Sequence, residues 1–305
     1  MTATCPGHFA GARILLVSLS LAFAGLFAAS PRLLGQQQQA AFDQGVDAFN
    51  KGNYDVAIGD FTQVIQLNPK SEDAYNNRGA AYQTKGDDDK AIADFNQAVQ
   101  LNPQDPRAYC NRGVAYTDKG NYDFAIGDFT QALQIDPKNE NAYNSRGLAY
   151  DRKGDYATAI ADFNQAIRLN PKDANPYNNR GVSYRANGDY ARALADYNQA
   201  IQLNPKYATA YRNLALLLAT CPQAGFRDGK KAVAAATKAC ELSNWKFPYA
   251  VDTLAAADAE AGDFADAVKW ETQFSATPNL SASEAEAAQN CLELYQTHKP
   301  YHLAR

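Results

Sequence analysis

Histidine is almost missing. Of 305 residues three are histidine, with His8 near the N-terminus and His298 and His302 in the last eight. The body of the chain has none, which excludes histidine acid–base or metal chemistry there. A basic surplus is missing too: 29 Lys and Arg stand against 33 Asp and Glu, for a net charge of −4 and a pI near 5.4. That excludes a general nucleic-acid binder, which needs a basic face to displace counterions from phosphates. Also lacking are a glycine-rich phosphate loop, a Gly-x-Ser-x-Gly elbow, a His-Glu-x-x-His helix and any zinc spacing of cysteines. No enzyme class announces itself, and neither cofactor nor metal is expected. What is present is a globular composition, 46% hydrophobic and 20% charged.

The N-terminus reads as an export signal. Residues 1–13 hold Arg13 and no acid, and residues 14–29 form an uncharged apolar run. Small residues follow, Ala28 and Ser30 and then Gly35; Pro31 disfavours a cut after Ser30, so cleavage after Gly35 is the expectation. An uncleaved signal anchor is the alternative and the one route to a membrane. Cys5 precedes the apolar run and none follows it closely, which argues against a lipoprotein. The glutamines at 36–39 read as a linker or a leader remnant. The expected destination is the periplasm or cell envelope of a bacterium.

The body is one unit written repeatedly. Pro69, Pro103, Pro137, Pro171 and Pro205 lie 34 residues apart, and Gly79, Gly113, Gly147 and Gly181 keep the same period from Gly45. So do a second glycine column (Gly52 to Gly188), tyrosines from Tyr75 to Tyr211, alanines from Ala57 to Ala193, and rings four residues after those alanines, Phe61 to Tyr197. In the unit 72–105 a helix is expected to about Lys85, ended by Gly86 in the left-handed conformation. Asp87 or Asp88 caps a second helix, which stops near Leu101 before Pro103. Tyr75, Gly79 and Tyr82 share one helical face; Ala91, Phe95 and Ala98 share the other. The small Gly79 and Ala91 let the backbones approach while rings fill the rest. One such hairpin buries too little apolar surface to stand alone, so stacking into an all-α solenoid is expected.

At these columns the chain resembles the tetratricopeptide repeat family. The resemblance implies a right-handed superhelix of antiparallel helix hairpins. Its divisions are 1–35, the signal; 36–207, five regular units (38–71, 72–105, 106–139, 140–173, 174–207); 208–280, two degenerate hairpins; and 281–305, a capping helix and tail. The sixth unit's turn is about five residues longer, around 220–229, and in the seventh Asp258 takes an aromatic place. The stretch from Leu217 to Cys240 also resembles an ending common in bacterial members.

The resemblance further implies that first helices line a concave groove. Inward positions then include Asn77, Asn111, Ser145, Asn179 and Asn213, with Asn76, Asn144 and Asn178 beside them. Such amides can grip an extended peptide backbone, or simply keep the face wet. The family's chaperone-tail clamp is absent, because Phe42 and Val46 stand at its Lys and Asn places. Arg78, Arg112, Arg146 and Arg180 recur with Asp60, Asp94, Asp128, Asp162 and Asp196 and are read as structural, locking helix to helix. Pairing within a unit and pairing with the next fit equally well, each leaving one aspartate over.

Export would leave Cys110, Cys221, Cys240 and Cys291 where disulfides form. Cys240 with Cys291 is one pairing; free, partly buried thiols are the other. Functionally, the chain reads as a non-catalytic adaptor with a protein partner, and self-association is compatible with that. The alternative is an enzyme or enzyme subunit built on 208–305, around Cys221, Cys240, Cys291, Trp245 and Trp270.

Overall fold

The computed structural model describes residues 31–303. Among them the chain runs through fifteen α-helices and no strand. These are α1 (Pro31–Asn50), α2 (Tyr54–Leu67), α3 (Glu72–Thr84), α4 (Asp88–Leu101) and α5 (Pro106–Asp118). Next come α6 (Tyr122–Ile135), α7 (Glu140–Lys153), α8 (Tyr156–Leu169), α9 (Ala174–Ala186) and α10 (Tyr190–Leu203). The less regular end holds α11 (Ala208–Thr220), α12 (Gly229–Leu242), α13 (Pro248–Ala261), α14 (Phe264–Ser275) and α15 (Ala282–Gln296). Consecutive helices pair as hairpins, and the hairpins stack in chain order. The all-α repeat solenoid expected from the columns is the observed fold.

Local chemistry fixes the helix ends. Gly86 has φ +81°, the left-handed region that a side chain would strain. The Gly86 and Asp87 amides close the end of α3 on Gln83 and Tyr82 carbonyls. Asp87 then caps α4, its carboxylate accepting from the Lys90 amide. The long connection of the sixth unit runs from Cys221 to Asp228 and contains one 3₁₀ turn, Ala224–Phe226.

The ring column gives the glycine column its reason. Phe61, Phe95, Phe129 and Phe163 are at most 1% exposed. A Cβ placed on Gly79 would lie 2.7 Å from the Phe95 ring; on Gly113, 2.8 Å from Phe129; on Gly147, 2.7 Å from Phe163; and on Gly181, 2.7 Å from Tyr197. The missing side chain therefore makes room for the partner helix's ring, rather than only for its backbone.

First helices of successive units touch one another along the whole chain, while second helices of successive units make no comparable contact. The stack is thus pinched on the first-helix side, and that side is concave.

One expectation needs adjusting, and the free-thiol reading of the cysteines holds. Helix α1 starts at Pro31, so residues 36–39 are helical and are no linker; Gln and Ala have good helix propensity, and Pro31 stands in the first turn, where proline is tolerated. The expected cleavage point at Gly35 falls inside that helix, while the apolar run 14–29 lies outside the described residues. The four cysteines Cys110, Cys221, Cys240 and Cys291 are free thiols. Among the described residues no helix is long and apolar enough to cross a membrane.

Candidate functional site

The arginines pair within their own unit. Arg78 Nε and Nη2 donate to the two carboxylate oxygens of Asp94, both at 2.8 Å, and Arg146 does the same to Asp162. Arg112 with Asp128 and Arg180 with Asp196 repeat the fork. The remaining nitrogen reaches back one unit: Arg78 to Thr62, Arg112 to Asn96, Arg146 to Thr130 and Arg180 to Asn164. Each guanidinium also lies over the preceding tyrosine, Tyr75, Tyr109, Tyr143 or Tyr177, at 5.5–5.7 Å. Asp60 is the aspartate left over, because Gln44 stands at the arginine place of the first unit. Exposed lysine–aspartate links add a second stitch between units: Lys85 to Asp55, Lys119 to Asp89, and Lys153 to Asp123 at 2.6 Å. These solvent-facing pairs contribute little to stability.

The asparagines on the concave side hydrogen-bond to one another across unit boundaries. Asn111 Nδ2 donates to Asn76 Oδ1 at 3.0 Å, Asn179 to Asn144 at 3.0 Å, and Asn213 to Asn178 at 2.9 Å. Asn178 Nδ2 in turn donates to Asn179 Oδ1 at 3.2 Å, and Asn77 Nδ2 to the Asp73 carbonyl at 2.8 Å. The line is interrupted where Cys110 stands in place of an accepting asparagine and Ser145 in place of a donating one. Asn178 and Asn213 are 3% and 6% exposed, so they serve the unit interface more than the groove. Asn77, Asn111, Asn144, Ser145 and Asn179 remain half-buried on the concave face.

At the C-terminal end of that face the chain encloses a cavity of about 320 Å³, walled by α11, α13, α14, α15 and the returning tail. The Leu303 amide donates to the Thr220 carbonyl at 3.0 Å and His302 meets Glu260 at 2.7 Å, which brings Tyr301 over the cavity. Asp252, Glu284, Cys291 and Tyr295 line it with Tyr249 and Phe274. The Tyr249 hydroxyl donates to Glu284 at 2.6 Å, and Ser281 caps α15 through the same carboxylate. These bonds from Ser281 and Tyr249 hold the Glu284 carboxyl down at about 2. Burial pushes the Asp252 carboxyl up to about 6 and the Cys291 thiol up to about 12. Cys291 is therefore a thiol at neutral pH and a poor nucleophile. Of the C-terminal histidines, His298 stacks edge-on against Phe264 and His302 sits on Glu260. Trp245 and Trp270 stack on each other at 5.2 Å.

Family models described as "Tetratricopeptide repeat" match residues 106–139 and 174–207, and a second of that description matches 129–161; one described as "TPR repeat" matches 48–86, 84–120 and 152–188. Together they run unbroken over 48–207, more than half of the chain. The chain belongs to the tetratricopeptide repeat family. A solved tetratricopeptide repeat protein from Parabacteroides merdae superposes with TM-score 0.61 at 17% identity, covering 86% of this chain and all of that one. PilF of Pseudomonas aeruginosa gives 0.60 at 18% identity, covering 71% of this chain and 96% of its own. MamA gives 0.50 at 25% identity, covering 57% of this chain and 95% of its own. Among curated proteins no sequence matches.

Besides Asp258, this tetratricopeptide repeat protein departs from its own pattern at the buried ring position of the seventh unit. The ring of each regular unit lies nine residues after its left-handed glycine, and nine residues after Gly262 stands Glu271. Glu271 is 0% exposed, and both its carboxylate oxygens lack a hydrogen-bond partner. Burial, then the neighbouring Asp252, pushes its carboxyl up to about 8. An acid raised in the folded state contributes its full stability only below its unfolded value, about 4.5, and that contribution is lost as pH rises through about 8. The melting temperature is therefore expected to fall by on the order of 5 °C between about pH 5 and about pH 8. Glu271→Gln is expected to flatten that slope. A slope unchanged in the variant would show that other groups set it.

Proposed function

We propose that this protein is a non-catalytic scaffold of the bacterial cell envelope, holding an extended segment of a partner protein in its concave groove. The observation that carries the reading is the half-exposed run of Asn77, Asn111, Asn144, Ser145 and Asn179 along the first-helix side. Each amide that bridges two units keeps spare donor and acceptor capacity for a backbone laid across it. The apolar run 14–29 behind Arg13 supports export, with a mature start at Gln36, inside what is α1 of the full chain. The chemistry on view favours holding over turnover: His298 lies against Phe264 and His302 on Glu260, and the raised Asp252 carboxyl lines a tyrosine-walled cavity without a nucleophile–base pair among the described residues.

The test is capture of partners from the cell envelope by the mature protein. Asn77→Ala with Asn111→Ala is expected to reduce the captured set at least several-fold, at a stability cost of about 1 kcal/mol per lost hydrogen bond. Capture equal to wild type would remove the groove from the account, and N-terminal sequencing of the native protein checks the cleavage separately.

A further inference from the structure

An arginine closes each regular seam between second helices, and one seam lacks it. Arg78, Arg112, Arg146 and Arg180 each fork onto an aspartate of their own second helix and reach Thr or Asn on the second helix before. In the sixth unit both members of the fork change together. Leu214 takes the arginine place, and Ala235, three residues after Ala232, takes the aspartate place. Changing one alone would strand a charge; changing both leaves an apolar surface. Asn198 keeps the acceptor place on α10 and turns back onto the Leu194 carbonyl at 2.8 Å. Tyr211 keeps the ring of its column without the guanidinium that lies over Tyr75 or Tyr143. The result is an open groove of about 630 Å³ between α10 and α12, floored by Leu194, Tyr211, Leu214 and Leu218 and edged by Lys231 and Lys238.

The same chain carries a projection without a socket. Phe124, in the first turn of α6, is 66% exposed, and the Tyr116 ring lies beside it at 5.3 Å. The other regular units place no ring there; they have Val56, Lys90, Thr158 and Arg192. Three residues on, Gly127 is exposed where three of the units have alanine. A Cβ on Gly127 would meet nothing within 4 Å, so the hairpin's own packing does not call for glycine, which destabilises a helix relative to alanine. The glycine leaves a bare stretch of helix beside the ring, as a contact surface requires. Asp123 precedes the ring and is held only by its exposed link to Lys153. Ring and groove both lie on second helices, on the outer side of the stack, so neither competes with the concave face.

We infer that Phe124 of one copy of this chain seats in the α10–α12 groove of a second copy, with Asp123 toward Lys231 and Lys238. Each surface supplies what the other lacks: an exposed ring with an acid beside it, and an apolar floor with lysines at its edge. The two lysines are held only by exposed pairs on their own helix, with Asp228 at 2.9 Å and Glu241 at 3.2 Å, and such pairs exchange readily. Ring and groove are different patches, so the contact is heterologous. Every copy offers both, and copies add in rows or close into a ring. The inference goes beyond the scaffold reading and stands without it, since it concerns the opposite side of the stack.

The test is sedimentation velocity of the protein as its own cell processes it. The mean mass is expected to rise as concentration passes through the micromolar range. Phe124→Ala is expected to weaken association at least about tenfold. The double variant Leu214→Arg with Ala235→Asp rebuilds the regular fork, fills the groove and is expected to do the same. Circular dichroism checks that both fold. Should the double variant fail to fold, Lys231→Glu with Lys238→Glu takes its place and is likewise expected to weaken association. Mixing gives the sharper result. The Phe124→Ala protein keeps a groove and the double variant keeps a ring, so together they are expected to form a one-to-one dimer that grows no further. Asn77→Ala with Asn111→Ala is expected to leave assembly unchanged; loss of assembly there would move the contact to the concave face and overturn the inference. A single copy at every concentration overturns it too. So does assembly that survives Phe124→Ala, or a pair of variants that do not combine.

Discussion

Replacing Phe129 by alanine is expected to lower the free energy of unfolding by about 3–5 kcal/mol, read from urea denaturation followed by helical circular dichroism. Phe129 is 1% exposed and fills the space between α5 and α6 directly against Gly113. Truncation leaves a cavity in a hairpin whose other core residues are mostly alanine and which has little left to collapse with. Phe124, five residues earlier on the same helix, is 66% exposed, and Phe124→Ala is expected to cost no more than about 0.5 kcal/mol. The Gly113 partner makes the argument sharper. A methyl group there would lie 2.8 Å from the ring, so Gly113→Ala is expected to cost about 1–3 kcal/mol in the wild type and much less beside Phe129→Leu. Additive costs in that double variant would mean that the glycine is retained for another reason.

Arg146→Met is expected to cost about 3 kcal/mol, because it strands the buried Asp162 of the same unit. The lost contacts are the two-pronged bond to Asp162, the 3.1 Å bond back to Thr130 and the stacking on Tyr143. Adding Asp162→Leu is expected to recover most of the loss, since removing both charges leaves no orphan in the interface. A double variant no more stable than Arg146→Met alone would mean that the lost bridge to Thr130 and the stacking on Tyr143, rather than the stranded aspartate, carry the cost.

The period, the hairpins and their ends were legible in the sequence because they rest on local chemistry: a left-handed glycine, an aspartate cap and a proline stop act within a few residues. The choice of partner for Arg78 or Arg146 was not legible, since both pairings keep the same period and differ only in how neighbouring helices tilt. The structure answers with both kinds of contact, aspartate within the unit and Thr or Asn in the unit before. The asparagines were found as a column, but not their bonds to one another, because Asn76 and Asn111 meet only when two units stack. The C-terminal cavity was hidden for a related reason: its wall includes a tail folded back over α11 and α13, which no periodicity announces. Glu271 was legible in principle, by counting nine residues from Gly262 as in every earlier unit.

The junction after α10 carries one last implication. Leu214 stands where the regular units have their arginine, and α10 packs less closely on α11 than its counterparts pack on theirs. An open space lined by Leu194, Tyr211 and Leu218 lies along that seam. Beyond it α11, α12 and α13 grip one another more closely than any three helices before them. A chain of coupled springs with one slack link does not stretch evenly. Under tension, or during thermal motion, the stack is expected to give at this seam first, with the last two hairpins moving as one body that carries the cavity with them.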